Sequence, residues 1–266
     1  MAVKTDLIKL FNGDCLEIMP TLEDQSIDMI LCDLPYGTTA CSWDTVIPFA
    51  PLWVQYKRLI KPRGAIVLFG SQPFTSALIM SNVKWFKYCW VWDKVLSVGH
   101  LIVNKRPMQQ TEDIVIFGKE AINYYPAMQR RQSARHVIKR IGQGDTVHMS
   151  HEQKTNYDVW LDARYPTNLL EFSNSFREGL HPTQKPVALL AYLIRTYTNP
   201  GDTVLDNCMG SGSTGVACIQ ESRAFIGIEK EQNYFEIAKN RIENTQPPLP
   251  FTVAEEKEKT VQTALF

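Results

Sequence analysis

Short apolar runs alternate with segments of helical period along most of this chain. The runs predict strands near 27–32, 65–69, 85–92, 113–118, 203–206 and 224–229. Between them, apolar positions three and four apart predict helices from Trp53 to Ile60, from Pro186 to Thr198 and from Asn233 to Ile242. Strands this apolar leave neither face for water, so they imply a mostly parallel sheet covered on both sides by the interleaved helices. The expected fold class is therefore α/β, a Rossmann-like, doubly wound sheet. Ligands in such sheets bind beyond the carboxyl ends of the strands, where Asp33, Asp206 and Glu229 fall. Trp85, Trp90 and Trp92 are read as sheet and core packing rather than as a base-stacking surface.

The run Ile27–Cys32 ends on Asp33-Leu34-Pro35-Tyr36, a set of groups suited to an exocyclic amine. The lone pair of such a nitrogen is delocalised into its ring, and two acceptors on its N–H bonds would localise that pair. The Asp33 carboxylate supplies one acceptor. The Leu34 carbonyl supplies the other, since Pro35 disfavours the helical region for Leu34 and keeps it extended. Tyr36 offers a ring face for a base that has been extruded from a duplex. The four residues alone also fit a plain strand end with a Pro-Tyr turn.

A second motif reads as strand, glycine turn and helix: Thr203–Asp206, then Gly210-Ser211-Gly212, then a helix opening at Thr214 to Ile219. Glycines permit positive φ and a close approach of backbone to ligand. The strand Ala224–Ile228 leads to Glu229, 23 residues after Asp206, where an acid in a nucleotide-binding βαβ unit takes ribose hydroxyls. The glycine spacing is not that of a dinucleotide fingerprint and no P-loop Lys-Ser/Thr follows, so adenosine without pyrophosphate fits better.

Asp-Leu-Pro-Tyr, then Trp43-Asp44, then His181-Pro182-Thr183-Gln184-Lys185-Pro186, then the late glycine motif and Gly227-Ile228-Glu229 together resemble the beta class of DNA amino-methyltransferases. In that class the catalytic motif precedes the cofactor motif, a circularly permuted order. The resemblance runs from Gly13-Asp14 to about Arg241 and fails only between roughly Glu120 and Arg177. It implies S-adenosyl-L-methionine as methyl donor and direct in-line transfer to a flipped base. Carried over by position, Asp14, His181, Thr183, Lys185, Asp206, Cys208, Gly210, Ser211, Gly212 and Glu229 would surround the cofactor, with Lys185 near its methionine carboxylate and Asp14 near its adenine. Asp as the first residue of the catalytic motif favours adenine N6 over cytosine N4, the alternative; an RNA or protein-amide methyltransferase and a non-catalytic DNA-binding protein are further rivals. Two departures stand out. Leu34 replaces the usual proline but keeps the carbonyl, and Asn207-Cys208 replaces the usual Pro-aromatic pair, so another side chain is expected to fill the space of that ring. Direct transfer needs no thiol nucleophile, and Cys208 is read as a small packing residue.

Composition changes the picture little. The chain has 266 residues, 28 basic and 28 acidic, so DNA binding has to come from local asymmetry. The run Gln129–Arg140 is basic, with no acid between Glu120 and Asp145. Arg130, Arg131, Arg135, Lys139 and Arg140 are the candidate contacts to double-stranded DNA, against the plainer reading of a solvated helix face. Six cysteines without C-x-x-C pairing suggest no zinc site and no disulfide framework. No stretch has membrane-spanning length and no signal pattern opens the chain, so a cytoplasmic protein is expected. The expected organisation is a catalytic half over 1–119, a variable target-recognition region over 120–178, a cofactor-binding half over 179–244 and an extended tail over 245–266. The resemblance favours a homodimer. Gln262-Thr263-Ala264-Leu265-Phe266 resembles peptides that dock on the bacterial sliding clamp, against the reading of a frayed terminus.

Overall fold

The computed structural model describes residues 7–37, 45–100, 103–138, 158–173 and 184–247. The strands in chain order are β1 (Ile8–Asn12), β2 (Ile27–Cys32), β3 (Ile60–Gly70), β4 (Phe86–Val98), β5 (Gln109–Phe117), β6 (Gln129–Ile138), β7 (Asp158–Arg164), β8 (Leu169–Glu171), β9 (Thr203–Asp206) and β10 (Ala224–Glu229). Eight of them form one sheet in the order β1-β10-β9-β2-β3-β5-β4-β8. Only β5 runs antiparallel to its neighbours. The helices are α1 (Cys15–Ile18), α2 (Phe49–Leu59), α3 (Phe74–Ser81), α4 (Val187–Tyr197), α5 (Ser213–Gln220) and α6 (Gln232–Glu243). None among the described residues is long and apolar enough to cross a membrane.

Both faces of the sheet are buried, which explains why its central strands read as unbroken apolar runs. Met29, Leu31, Val67, Phe69, Ile114 and Ile116 pack with residues of α4, α5 and α6. The alternate positions Ile30, Cys32, Ile66, Leu68, Val115 and Phe117 pack with residues of α1, α2 and α3. In α2 the apolar face is Leu52, Trp53, Tyr56 and Leu59, at helical spacing, with Lys57 and Arg58 in the last turn where the helix dipole favours cations. The tryptophans expected in the core are there: Trp85, Trp90 and Trp92 are all buried. Their polar edges are satisfied where they lie deepest, Trp90 Nε1 donating to Tyr197 Oη at 2.6 Å and Trp92 Nε1 to the Phe172 carbonyl at 2.9 Å.

The expected strands are all present. The structure adds β1, α1, α3, β6, β7 and β8 to the expected elements. β1 lies beside β10, so the first strand of the 1–119 segment belongs spatially with the cofactor half. β8, from the variable segment, extends the main sheet beside β4. The helical alternative for the basic run is corrected: Gln129–Ile138 is a strand, paired antiparallel with β7 in a separate two-stranded sheet. Its partner is distant in sequence, and a ladder of that kind leaves no apolar period to read.

The two halves of the main sheet meet where β2 pairs with β9. Asp28 ties that seam, accepting from Lys61 Nζ at 2.7 and 2.8 Å and from the Thr203 backbone N–H at 3.0 Å. Asp28→Ala leaves that N–H without its partner and is expected to lower stability by about 1–3 kcal/mol, read as a reduced urea midpoint at unchanged m-value.

Candidate active site

Because β2, β9 and β10 run parallel and adjacent, the residues that follow them converge at one edge of the sheet. A cavity of about 500 Å³ opens there. It brings Asp33, Leu34, Pro35 and Tyr36 from the β2 end together with Gly210 and Ser211 of the glycine turn. Asp14, Lys185, Cys208 and Glu229 share the same walls, so the two motifs enclose a single space.

On the β9–β10 side, Glu229 is buried and its oxygens accept from the backbone N–H groups of Gly210 and Glu231, each at 2.9 Å. Burial pushes its carboxyl above the ordinary range. A carboxylate has about four acceptor sites, so capacity remains for a diol hydroxyl, whose donor would offset the cost of burial. Gly210 has φ +50°, and a Cβ built on it meets nothing within 4 Å, which leaves room for a ligand against the backbone. These features fit the ribose of S-adenosylmethionine. Gly212, also expected beside a ligand, faces the other way: a Cβ there would come within 3.0 Å of Ala238 and Ile242 of α6. Asp206 lines the cavity, and its carboxylate also shapes the turn, accepting from Thr214 Oγ1 at 2.6 Å and from the Cys208 N–H at 3.1 Å. Asp14 caps α1 through the Leu16 N–H at 2.9 Å and meets Lys230 Nζ at 3.2 Å.

Where the usual Pro-aromatic pair is replaced, Cys208 packs against the apolar cluster that holds Cys15 and Cys32. Asn207 Nδ2 donates to Cys208 Sγ at 3.5 Å, and Tyr56 Oη donates to Asn207 Oδ1 at 2.6 Å. Burial pushes the Cys32 thiol up to about 12. Such thiols stay protonated and serve as packing, in keeping with the sequence reading of Cys208.

On the β2 side, Asp33 Oδ1 accepts from Tyr36 Oη at 2.7 Å, and the Tyr36 ring lies 4.8 Å from that of Phe74 at an interplanar angle of 30°. The Leu34 side chain is anchored in the core. Asp33 Oδ2 is held by Lys185 Nζ at 2.5 Å. Lys185 also stands 3.6 Å from Glu112 Oε2, while Glu112 Oε1 accepts from Lys94 Nζ at 2.8 Å. Burial works against the Lys185 ammonium, and the Asp33 and Glu112 carboxylates outweigh it, so its pKa rises. Burial likewise works against the Glu112 carboxylate, and Lys185 and Lys94 outweigh it, so its pKa falls. Glu112 and Lys94 escaped the sequence reading. Their signal is present, however, as charges within the apolar strands β4 and β5.

Arg130, Arg131 and Arg135 lie on β6, in the separate two-stranded sheet. His181, Thr183, Lys139, Arg140, Trp43, Asp44 and the segment Gln262–Phe266 lie outside the described residues.

Burial raises the Asp206 carboxyl from 3.8 to about 7, against the lowering effect of its hydrogen bonds from Thr214 and Cys208. The folded state therefore holds this proton where the unfolded chain has released it, and the contribution of Asp206 to stability is lost as pH rises from about 4 through 7. Asp206→Asn removes that slope. Chemical unfolding should show its stability advantage over the wild type growing across this window, by up to about 1.4 kcal/mol per pH unit, and levelling off above it.

The model of the DNA methylase family N6_N4_Mtase matches residues 27–240. The type II methyltransferase M.HpaI of Haemophilus parainfluenzae is 26% identical over 254 residues, which is 89% of this chain and 74% of that protein. Among solved structures, the M1.HpyAVI–SAM complex is 27% identical with a TM-score of 0.57, over 88% of this chain and 99% of the other. The cytosine-N4-specific PvuII DNA methyltransferase has a TM-score of 0.63 at 20% identity, over 95% and 90% of the two chains, a likeness of fold. The paired motifs on one cavity and the family match over most of the chain agree, and the chain belongs to the S-adenosylmethionine-dependent DNA methylases that modify the amino groups of adenine N6 or cytosine N4.

Proposed function

We propose that this enzyme methylates the N6 amine of adenine in duplex DNA, on a base flipped into the cavity at the end of β2. The observation that carries the reading is the placement of the Asp33 carboxylate and the Tyr36 ring on the same cavity as Glu229 and Gly210. Preference for adenine rests on Asp, rather than Ser, at the first position of the catalytic motif.

When bound, S-adenosylmethionine supplies a methyl group on a sulfonium, an electrophile that needs no further activation. The work left to the chain is to bind, orient and enrich the nitrogen. Asp33 and the Leu34 carbonyl accept the two N–H bonds, which directs the nitrogen lone pair out of the ring plane. Tyr36, backed by Phe74 and tied to Asp33 through its hydroxyl, gives the ring a fixed face. Glu229 and the Gly210 backbone hold the donor's ribose. Extruding the base costs roughly a few kcal/mol, and alignment of two bound reactants in line returns more than that in the barrier. Arg130, Arg131 and Arg135 on β6 would meet the DNA backbone.

Labelled methyl transfer to DNA, compared with RNA and protein, followed by mass analysis of the digested DNA, should give N6-methyladenine. Only N4-methylcytosine in the digest would overturn the base assignment. In the same assay Asp33→Ala should lose transfer by about a hundredfold or more while calorimetric affinity for the cofactor is largely kept, because the carboxylate acts on the base.

Replacing Arg130, Arg131 and Arg135 together with Ala should weaken DNA binding and flatten its salt dependence by about one log–log slope unit per lost phosphate contact. Titrations on cognate and scrambled duplexes at several salt concentrations read this. An unchanged slope on both would remove β6 from the DNA interface.

A further inference from the structure

Four charges form a chain along the inner wall of the cavity: Asp33, Lys185, Glu112 and Lys94. Two are acids and two are bases, so the set is neutral as it stands. Side-chain exposure falls from 25% at Asp33 through 16% at Glu112 to 9% at Lys185 and 4% at Lys94, so the ammonium groups are the most deeply placed. In such surroundings an unpaired charge is costly, and any movement of one member has to be met by another.

The chain is satisfied unevenly. Lys185 Nζ sits on Asp33 Oδ2 at 2.5 Å, over the Phe69 ring at 5.1 Å, and only 3.6 Å from Glu112 Oε2. Among the described residues Glu112 Oε2, which is buried, has no hydrogen-bond partner, although Oε1 of the same carboxylate is fixed by Lys94 at 2.8 Å. A buried carboxylate oxygen without a donor is costly unless it serves a second state. The ammonium that would satisfy it stands at 3.6 Å, an ion-pair distance about 0.4 Å beyond the usual hydrogen-bond range.

The carboxylate that Lys185 holds through Oδ2 is the one proposed to accept from the target amine. An ammonium there draws on the electron density that an amine N–H would use. It also opposes the positive charge that grows on nitrogen as the methyl group arrives.

We propose that Glu112 is a positioning residue that takes Lys185 over from Asp33 when the target amine enters, so that the accepting carboxylate is uncovered only by its substrate. This rests on the reading of Asp33 as the acceptor of the amine. The exchange is balanced: one N⁺–H···O⁻ contact on Asp33 breaks, one forms on Glu112, and the amine N–H replaces the first. No proton changes owner: Asp33 gives up its ammonium and keeps two neutral donors, the Tyr36 hydroxyl and the amine N–H, while Lys94 holds Glu112 in place throughout. The field around the nitrogen turns more negative at the moment the transfer needs it.

The test measures how much the target amine contributes to binding. With S-adenosylhomocysteine saturating, affinities are compared for the duplex that the enzyme methylates and for the same duplex whose target base lacks the exocyclic amine, purine in place of adenine. In the wild type, loss of the amine should weaken binding by about tenfold, the worth of one charge-assisted hydrogen bond. Glu112→Gln leaves Lys185 with one anionic partner, and the ratio should collapse toward unity. Lys185→Gln, and the double variant Glu112→Gln/Lys185→Gln, should both return to the wild-type ratio, since no ammonium then covers Asp33.

An unchanged ratio in Glu112→Gln would overturn the proposal. So would a collapse that persists in the double variant, because Glu112 would then act by shape alone, and so would a collapse in Lys185→Gln. If no DNA becomes methylated at all, the functional reading itself fails; a mapped methylation site combined with the wrong ratios removes only the exchange.

Discussion

The site exists because β2 pairs with β9. These strands are separated by about 170 residues of chain, yet Met29 lies against Val204 and Ile30 against Leu205 in a parallel register. A parallel pair brings like ends together, so the loop after Cys32 and the turn after Asp206 open at the same edge. Without that register Asp33 and Glu229 would face different solvent. The Asp28 carboxylate, shared between Lys61 and the Thr203 N–H, fixes the start of the pair, and the apolar layers on both sides do the rest.

Much of this was legible in the sequence, and the reason is physical. Strands buried on both faces carry long apolar runs, so β2, β3, β5, β9 and β10 announce themselves. The motifs at their ends are short and contiguous, as loops that carry chemistry must be when a rigid strand delivers them. The parts that were not legible share a different property. β1 alternates as Ile8-Lys9-Leu10-Phe11-Asn12 and is stabilised by its neighbour β10 rather than by its own pattern. The β6–β7 ladder depends on a pairing across a long separation. Gly212 looks like a ligand-facing glycine, but its neighbour in space is α6, and only coordinates reveal that.

The ion chain shows the limit of motif reading most clearly. Asp33 and Lys185 each belong to a recognised motif and were assigned separately, one to the base and one to the cofactor. In the folded chain they are bound to each other. Glu112 and Lys94 belong to strands whose apolar character drew attention away from their charges. Burying such groups rarely adds stability against an apolar replacement. Their presence on a cavity wall is better understood as a cost carried for control over where charge sits.

The position of β1 has a consequence for how the molecule is assembled. Although it is the first strand of the described chain, it is joined to the sheet only through β10, and Asn12 Nδ2 donates to the Glu229 carbonyl across 217 residues. On a ribosome, β1 therefore waits without a sheet neighbour while β2, β3, β5 and β4 come together, and it is captured only when the segment carrying β9 and β10 has emerged. Closure of the loop is long-range and slow, of the kind that sets a high contact order. The cavity wall that carries Gly210 and Glu229 is thus the last part of the sheet to leave the ribosome, so the cavity is complete only in a molecule whose whole sheet has been made.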